Sequence, residues 1–413
     1  MKLLVVNKFY FLRGGSERYI FELNKVLEKN GFTVIPFSMK DEKNFQTKYS
    51  QYFVGNIDFQ NKLSLIDRLR SVFRILYSFE ARKNILELIE NAKPDLAHIH
   101  NIAHQISPSI LPALKKRGIP VVQTLHDFKL VCPSYLFYTR GKPCEECKKN
   151  KFYKAIVNKC IKNSFSGSFL IAMEMYFHKM TKIYNNIDIF ITPSLFMKRK
   201  LEEFGIYTNK LVHIPNFVLA ESFSPNYDFE DYFIYFGRLS EEKGVMTLLK
   251  AVERNWKIKL LIVGEGVLED ELKRYAEKKG LKNVIFKGYK SGSEFQNLIR
   301  NAMFTILPSE CYENCPISIL ESFAMGKPVI GANIGGIPEL INEGSDGLLF
   351  ESGNAADLND KIIYLLNDPC KIKEMGRRGR EKVEKLYNVE LHYQRIMNIY
   401  QKLITNNTSL SIQ

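Results

Sequence analysis

Two carboxylates, Glu313 and Glu321, stand eight residues apart with Asn314-Cys315-Pro316 between them. Were the stretch helical throughout, they would lie ~12 Å apart along the axis at about 1.5 Å per residue. That is too wide for a retaining glycosidase pair, whose carboxyls sit about 5–5.5 Å apart. It suits two acceptors for hydroxyls on separate rings, either side of an anion. Pro316 fits the first position of a helix, and the free amides of that turn would face a ligand. Earlier in the chain, Gly237-Arg238-Leu239-Ser240-Glu241-Glu242-Lys243-Gly244 puts a guanidinium and an ammonium on a loop between a strand and a helix. Arginine holds phosphate bidentately, lysine acts as a point charge and a helix N-terminus favours anions. The pattern is a diphosphate clamp without a Walker motif.

The first half holds candidates of another kind. His126, in Thr124-Leu125-His126-Asp127, follows the apolar run Pro120–Thr124, so it stands where a buried strand ends; Asp127 is placed to orient its ring. His98, His100, Asn101 and His104 follow a similar run and are expected on an acceptor side. Gly14-Gly15, ahead of Ser16-Glu17-Arg18, lets backbone approach a ligand closely at the start of a helix. Four of the seven cysteines, Cys132, Cys144, Cys147 and Cys160, lie in one basic, aromatic stretch. Cys144-x2-Cys147 has metal-ligand spacing, with Cys132 and Cys160 as third and fourth thiolates of a structural zinc; free thiols in a loop are the alternative.

Positioning such residues takes a repeated pattern of short apolar runs and longer helical stretches. Expected strands are Leu3–Val6, Thr33–Pro36, Leu96–His100, Pro120–Thr124, Ile187–Ile191 and Leu211–Ile214, then Tyr232–Phe236, Lys259–Val263, Asn283–Phe286, Met303–Ile306 and Pro328–Ile330. Expected helices include Gly15–Lys29, Leu63–Glu90, Gly244–Arg254, Val267–Lys279, Gly292–Arg300 and Pro316–Met325. Continuous apolar strands between helices imply parallel sheets covered on both faces. The reading is an α/β chain of two doubly wound domains, residues 1–218 (with a cysteine-bearing insertion at about 128–180) and 232–386. A linker over 219–231 joins them, and a C-terminal helix over 387–413 is expected to pack back on the first domain. Ligands of such sheets sit beyond the carboxyl ends of the strands, so a substrate belongs in the cleft between the domains.

Composition, with 45% hydrophobic and 25% charged residues, is that of a globular chain and excludes a disordered or fibrous one. No apolar run reaches the roughly 18 residues of a membrane span. The start, Met1-Lys2-Leu3-Leu4-Val5-Val6, meets Asn7-Lys8 too soon for a secretory segment, so a cytoplasmic location is expected. The net charge of +14 is uneven: residues 1–220 hold 34 Lys and Arg against 18 Asp and Glu, residues 221–413 hold 25 against 27. A basic first half calls for an anionic partner or serves solubility alone. Lys115-Lys116-Arg117, the Lys142–Lys162 insertion and the Arg68–Arg74 region point to peripheral attachment at an anionic membrane face.

The ordered set Gly237-Arg238…Lys243-Gly244, Glu313-x7-Glu321 and Gly326-x-Pro328-Val329-Ile330…Gly335-Gly336-Ile337-Pro338-Glu339 resembles the retaining glycosyltransferases of family 4, the group 1 glycosyl transferases, across most of the second half. Their fold, called GT-B, is two Rossmann-like domains around a cleft. The resemblance implies that Arg238 and Lys243 bind a donor diphosphate, that Glu313 contacts the transferred sugar and that Glu321 holds the ribose hydroxyls. It also implies that the amides of Asn314–Pro316 assist, that Tyr289 meets the base, that Gly14-Gly15 lies near the phosphates, and that His126 lies near the sugar. Asn314-Cys315 replaces the Gly and variable residue of many members. The implied reaction moves a hexosyl group from a UDP- or GDP-sugar to an acceptor hydroxyl with retention, the leaving diphosphate helping to take the proton. No catalytic metal or cofactor is expected, nor a nucleic-acid partner. Together with the basic first half, it suggests a lipid-linked or cell-surface polysaccharide or glycolipid acceptor. A non-catalytic sugar-nucleotide sensor or scaffold, and a nucleic-acid binder using the basic surface, are the alternatives.

Overall fold

A computed structural model of the chain describes residues 1–56, 72–253 and 258–410. Short apolar runs form two six-stranded sheets in which every pairing is parallel. In the first domain, β1 (Lys2–Val6), β2 (Thr33–Phe37), β3 (Leu96–Ile99), β4 (Val121–Thr124), β7 (Ile189–Thr192) and β8 (Leu211–His213) lie in the order β2-β1-β3-β4-β7-β8. A small antiparallel pair, β5 (Tyr138–Thr139) and β6 (Lys142–Pro143), sits in the insertion between β4 and β7. In the second, β9 (Tyr232–Phe236), β10 (Lys259–Val263), β11 (Val284–Gly288), β12 (Thr305–Leu307), β13 (Val329–Ala332) and β14 (Gly347–Phe350) run β11-β10-β9-β12-β13-β14. The chain is thus an α/β protein of two Rossmann-like domains, as the alternation of runs implies.

Register decides where the loops go. Val6 is paired with both Phe37 and Ile99, and Val263 with Phe236, so successive strands end level with one another. The segments after β1, β3 and β4, and those after β9, β10 and β12, therefore leave the carboxyl edges together. The two edges face each other across the cleft. Each sheet is buried among its own helices: β1 and β3 supply Leu4, Val6, Ala97 and Ile99 to one core, β9 and β12 supply Phe233, Tyr235 and Ile306 to another.

Helix boundaries follow local chemistry. Residues 72–76 are helical, but the expected helix Leu63–Glu90 does not continue through Tyr77-Ser78. Ser78 accepts the Ala81 amide with its hydroxyl and starts a new helix, Phe79–Ala92. Residues 57–71, with most of the Arg68–Arg74 region, lie outside the described residues. The helix Ile317–Ala324 begins after Pro316, so Glu313 stands on a turn and the ~12 Å helical spacing to Glu321 does not apply.

The last helix, Val389–Leu410, crosses back to the first domain, where Ile396, Ile399 and Tyr400 pack with Leu3, Val5, Tyr19 and Ile20. No described helix is long and apolar enough to cross a membrane.

Candidate active site

On the second domain the loop after β9 carries Arg238 and Lys243. Gly244 follows in the left-handed region at φ 66°, where a Cβ would collide with the Pro308 carbonyl, so only glycine lets this loop settle against the end of β12. Lys243 Nζ lies 2.5 Å from Glu313 Oε1, and Ser309 Oγ donates to the same oxygen at 2.6 Å. Burial opposes charge on both Glu313 and Lys243, yet their mutual attraction wins: the Glu313 carboxyl is held below its usual range and Lys243 above its own. Both are ionised at neutral pH. Arg238 is different: its side chain is 67% exposed, with a long ion-pair contact to Glu242 Oε1 at 4.0 Å. It is an exposed, loosely paired cation at the cleft, next to a tightly paired one.

Glu321 sits one helical stretch further on, buried, and is ion-paired with Arg18 of the first domain. Burial pushes its carboxyl up, and Arg18 offsets this only in part. Tyr289, after β11, is 66% exposed, while its amide reaches Glu265 Oε1 at 3.4 Å. Gly336 lies so close to Asn314 that a Cβ would meet the Asn314 carbonyl, which ties the Gly335-Gly336 turn to the Glu313 turn.

The two walls touch through polar contacts. Asn314 Nδ2 donates to the Leu125 carbonyl at 2.9 Å, and its Oδ1 accepts from Ser194 Oγ at 2.7 Å. The Asn314 side chain therefore spans the domains beside His126. The Cys315 carbonyl accepts from Asn216 Nδ2 at 2.8 Å. Glu339 accepts the amides of Leu195 and Phe196, capping a first-domain helix, Leu195–Glu203, from the opposite domain. Tyr312 donates to Glu145 Oε1 at 2.9 Å, joining the cysteine-bearing insertion to the residue before Glu313.

On the first domain, Gly14 and Gly15 open the helix Gly15–Lys29 in the sequence-expected place. A Cβ on Gly15 would meet only Ile317 Cδ1, at 3.9 Å, so the glycine loop lies along the Glu313–Glu321 segment with room between. His126 Nε2 is 3.0 Å from His100 Nδ1. Its ring partner is therefore His100, whereas Asp127 turns away and accepts the Lys129 amide at 2.9 Å. Burial lowers the His126 pKa to about 4, so the ring is neutral and acts by hydrogen bonding. Asn101 is placed by its amide, which donates to Asn7 Oδ1 at 3.2 Å.

Behind His126 lies a network that the sequence does not announce. His98 bonds Tyr400 through Nδ1 (2.6 Å) and Thr124 through Nε2 (2.7 Å), and Tyr19 bonds His392 at 2.9 Å. Tyr400 and His392 belong to the C-terminal helix. Arg18, Tyr19 and Glu22 all project from the helix Gly15–Lys29, with Glu22 four residues after Arg18 and three after Tyr19. That spacing is the only sequence signal they carried. Cys132, Cys144, Cys147 and Cys160 all line one cavity in the insertion, and all are free thiols.

Comparison with known proteins matches these two walls to two family models. Residues 13–221 match the model described as Glycosyltransferase Family 4, and residues 221–382 that described as Glycosyl transferases group 1. An uncharacterized glycosyltransferase of Methanocaldococcus jannaschii is 25% identical over 403 residues, covering 98% of this chain and 99% of its own. Among solved structures, sucrose-phosphate synthase from Thermosynechococcus elongatus superposes with a TM-score of 0.73 at 19% identity, over 98% and 99% of the two chains. The Anabaena protein HepE, solved with UDP and glucose, gives 0.70 at 17% identity over 97% and 100%. These likenesses share the GT-B fold.

Proposed function

The chain belongs to glycosyltransferase family 4, and from that premise we propose that it transfers a hexosyl group from a UDP- or GDP-sugar to an acceptor hydroxyl, with retention at the anomeric carbon. The observation that carries this reading is the Lys243–Glu313 pair. It sets a cation for a leaving diphosphate beside a carboxylate for sugar hydroxyls, on the wall that faces His126. The bond from the anomeric carbon to the phosphate oxygen breaks with its electron pair leaving on the diphosphate. The acceptor oxygen bonds to that carbon from the same face, and its proton passes to the departing phosphate oxygen. Arg238 and Lys243 stabilise the growing negative charge, which is the work a divalent ion does in other transferases, so no catalytic metal is needed. Glu313 and neutral His126 orient the sugar, and Glu321 takes the ribose hydroxyls in exchange for Arg18. Closure of the domains excludes water.

A lipid-borne acceptor, such as a lipid-linked or cell-surface polysaccharide or glycolipid intermediate, is supported by one surface. The helix Phe165–Met180 exposes Phe165 (63%), Phe169 (48%), Met173 (44%) and Met180 (81%) along one stripe. Lys159, Lys162, Lys179 and Lys182 flank it in sequence. Apolar anchors with lysines near both ends in sequence suit the cytoplasmic face of an anionic bilayer.

The test is a thermal-shift series with UDP-, GDP-, ADP- and dTDP-sugars on the wild type and Arg238→Ala, with and without EDTA. Occupancy at 100 times Kd stabilises by about 2.7 kcal/mol. One nucleotide class should shift the wild type equally with and without EDTA and shift the variant little. Binding without any release of nucleoside diphosphate, across lipid and saccharide acceptors, would favour a sugar-nucleotide sensor instead.

A further inference from the structure

The insertion between β4 and β7 enters the first-domain core through Phe128, Val131, Cys132 and Phe137, but the rest of it is rich in turns. Within residues 135–163, eight non-glycine residues take positive φ: Tyr135, Phe137, Arg140, Lys149, Asn150, Lys159, Lys162 and Asn163. Each such position costs conformational energy that surrounding structure must offset. Regular structure here is slight, two two-residue strands, a three-residue 3-10 turn and a four-residue helical turn, and the local apolar cluster is small.

Four thiols converge on this segment from separate turns. Cys132, Cys144, Cys147 and Cys160 line a single cavity of about 10 Å³, about the room for one water-sized sphere and too small for an organic ligand. The backbone amides of Ser134 and Phe137 are aimed at Cys132 sulfur, and that of Ala155 at Cys147. Burial pushes the Cys132 and Cys147 thiols up, and these amides offset that only in part, so without an ion both stay protonated. Residues 128–163 hold nine Lys and Arg against two Glu. A divalent ion with four thiolates carries two negative charges, which this basic shell offsets. Among the described residues no group of three His, Cys, Asp or Glu side chains is already closed as a metal site. Binding an ion here therefore requires the cysteine side chains to move from the positions described.

We propose that Cys132, Cys144, Cys147 and Cys160 bind one structural zinc ion as a tetrathiolate, stapling the insertion to the first domain. Each thiol gives up its proton to solvent on binding, and no electron is transferred. All four positions are filled by protein, so the ion has no open site for chemistry. Its effect on the active site is mechanical. Glu145, next to Cys144, receives the Tyr312 hydroxyl beside Glu313. A Cβ on Gly141 would lie 3.5 Å from Glu241 of the donor loop. The staple thus fixes one side of the cleft entrance.

Full-length protein, purified without a metal-affinity tag and under reducing conditions, should contain one zinc per chain by elemental mass spectrometry. Cobalt substituted for it should give thiolate charge-transfer and intense tetrahedral d–d bands. Cys147→Ser and Cys160→Ser should each lower zinc occupancy about tenfold, and the same bands should be lost if a variant remains soluble. Two results overturn the proposal. One is less than half an equivalent of zinc after growth or refolding with zinc present, together with no cobalt spectrum. The other is an intact mass two or four hydrogen atoms short, showing that these thiols are disulfides.

Discussion

Arg18 and Glu321 are ion-paired across the cleft, so the carboxylate assigned to the donor ribose is held by the opposite domain. Glu321 is buried and Arg18 is 40% exposed, so the arginine is the partner free to move. With Glu321 in the proposed ribose site, nucleotide binding and domain contact would be linked through one carboxylate. A hydrogen bond to a charged group contributes about 1.5–3 kcal/mol. Glu321→Gln should accordingly weaken nucleoside-diphosphate binding about 10- to 100-fold by calorimetry, with little change in secondary structure. An unaltered Kd would remove Glu321 from the ribose site.

Lys243 and Arg238 should separate by stability although both are proposed to serve the leaving group. Either alanine variant is expected to lower kcat about 10²- to 10³-fold. Lys243→Ala also leaves buried Glu313 without its cation, which costs up to about 3 kcal/mol. Arg238 is exposed, so its variant should unfold at the wild-type denaturant midpoint. Wild-type turnover in both variants would end the diphosphate assignment.

The buried histidines predict the response to acid. Burial lowers His126 to about 4, and lowers His98 and His392 to about 3. An unfolded chain takes up protons on these rings below about pH 6.5, whereas the folded chain does not until its lower pKa values are reached. Stability should then fall as pH drops from about 6.5 towards 4, by up to about 1.4 kcal/mol per pH unit for each ring. Over pH 6–8, kcat/KM should show no inflection that disappears in His126→Asn. Such an inflection would mean that the ring titrates and acts in acid–base chemistry.

Glu22 acts in the opposite sense. Burial first, and then the charge of Glu321, raise its carboxyl to about 7. The folded chain keeps this proton up to about pH 7, whereas the unfolded chain loses it near 4.5. Its stabilisation is complete below 4.5 and is lost as pH rises through 7. Glu22→Gln should be more stable than the wild type, with a gap that widens from pH 4.5 to 7 in urea titrations. A gap independent of pH would show that Glu22 is ionised throughout.

The exposed stripe on Phe165–Met180 predicts a salt-dependent membrane contact. Phe165→Asp with Phe169→Asp should reduce co-sedimentation with anionic liposomes at least tenfold and leave soluble-nucleotide binding intact. Equal sedimentation of wild type and variant would move any membrane contact elsewhere.

Sequence alone determined the two sheets and the second-domain motifs. Apolar runs of strand length between helical stretches allow few other arrangements, and the ordered set from Gly237 to Glu339 is local enough to read by eye. It passed over β14, whose run Gly347-Leu348-Leu349-Phe350 is short and opens with glycine. It carried the break at Ser78 only as a lone serine within a helical period. Tertiary structure alone decided the partners. His126 meets His100 rather than Asp127, Arg18 meets Glu321, Asn314 reaches Leu125, and Tyr19 and His98 find His392 and Tyr400 on the last helix. These pairs join residues tens to hundreds of positions apart, brought together by strand order and by the returning C-terminal helix. Periodicity reports which face a residue occupies, but not which other face the fold will press against it.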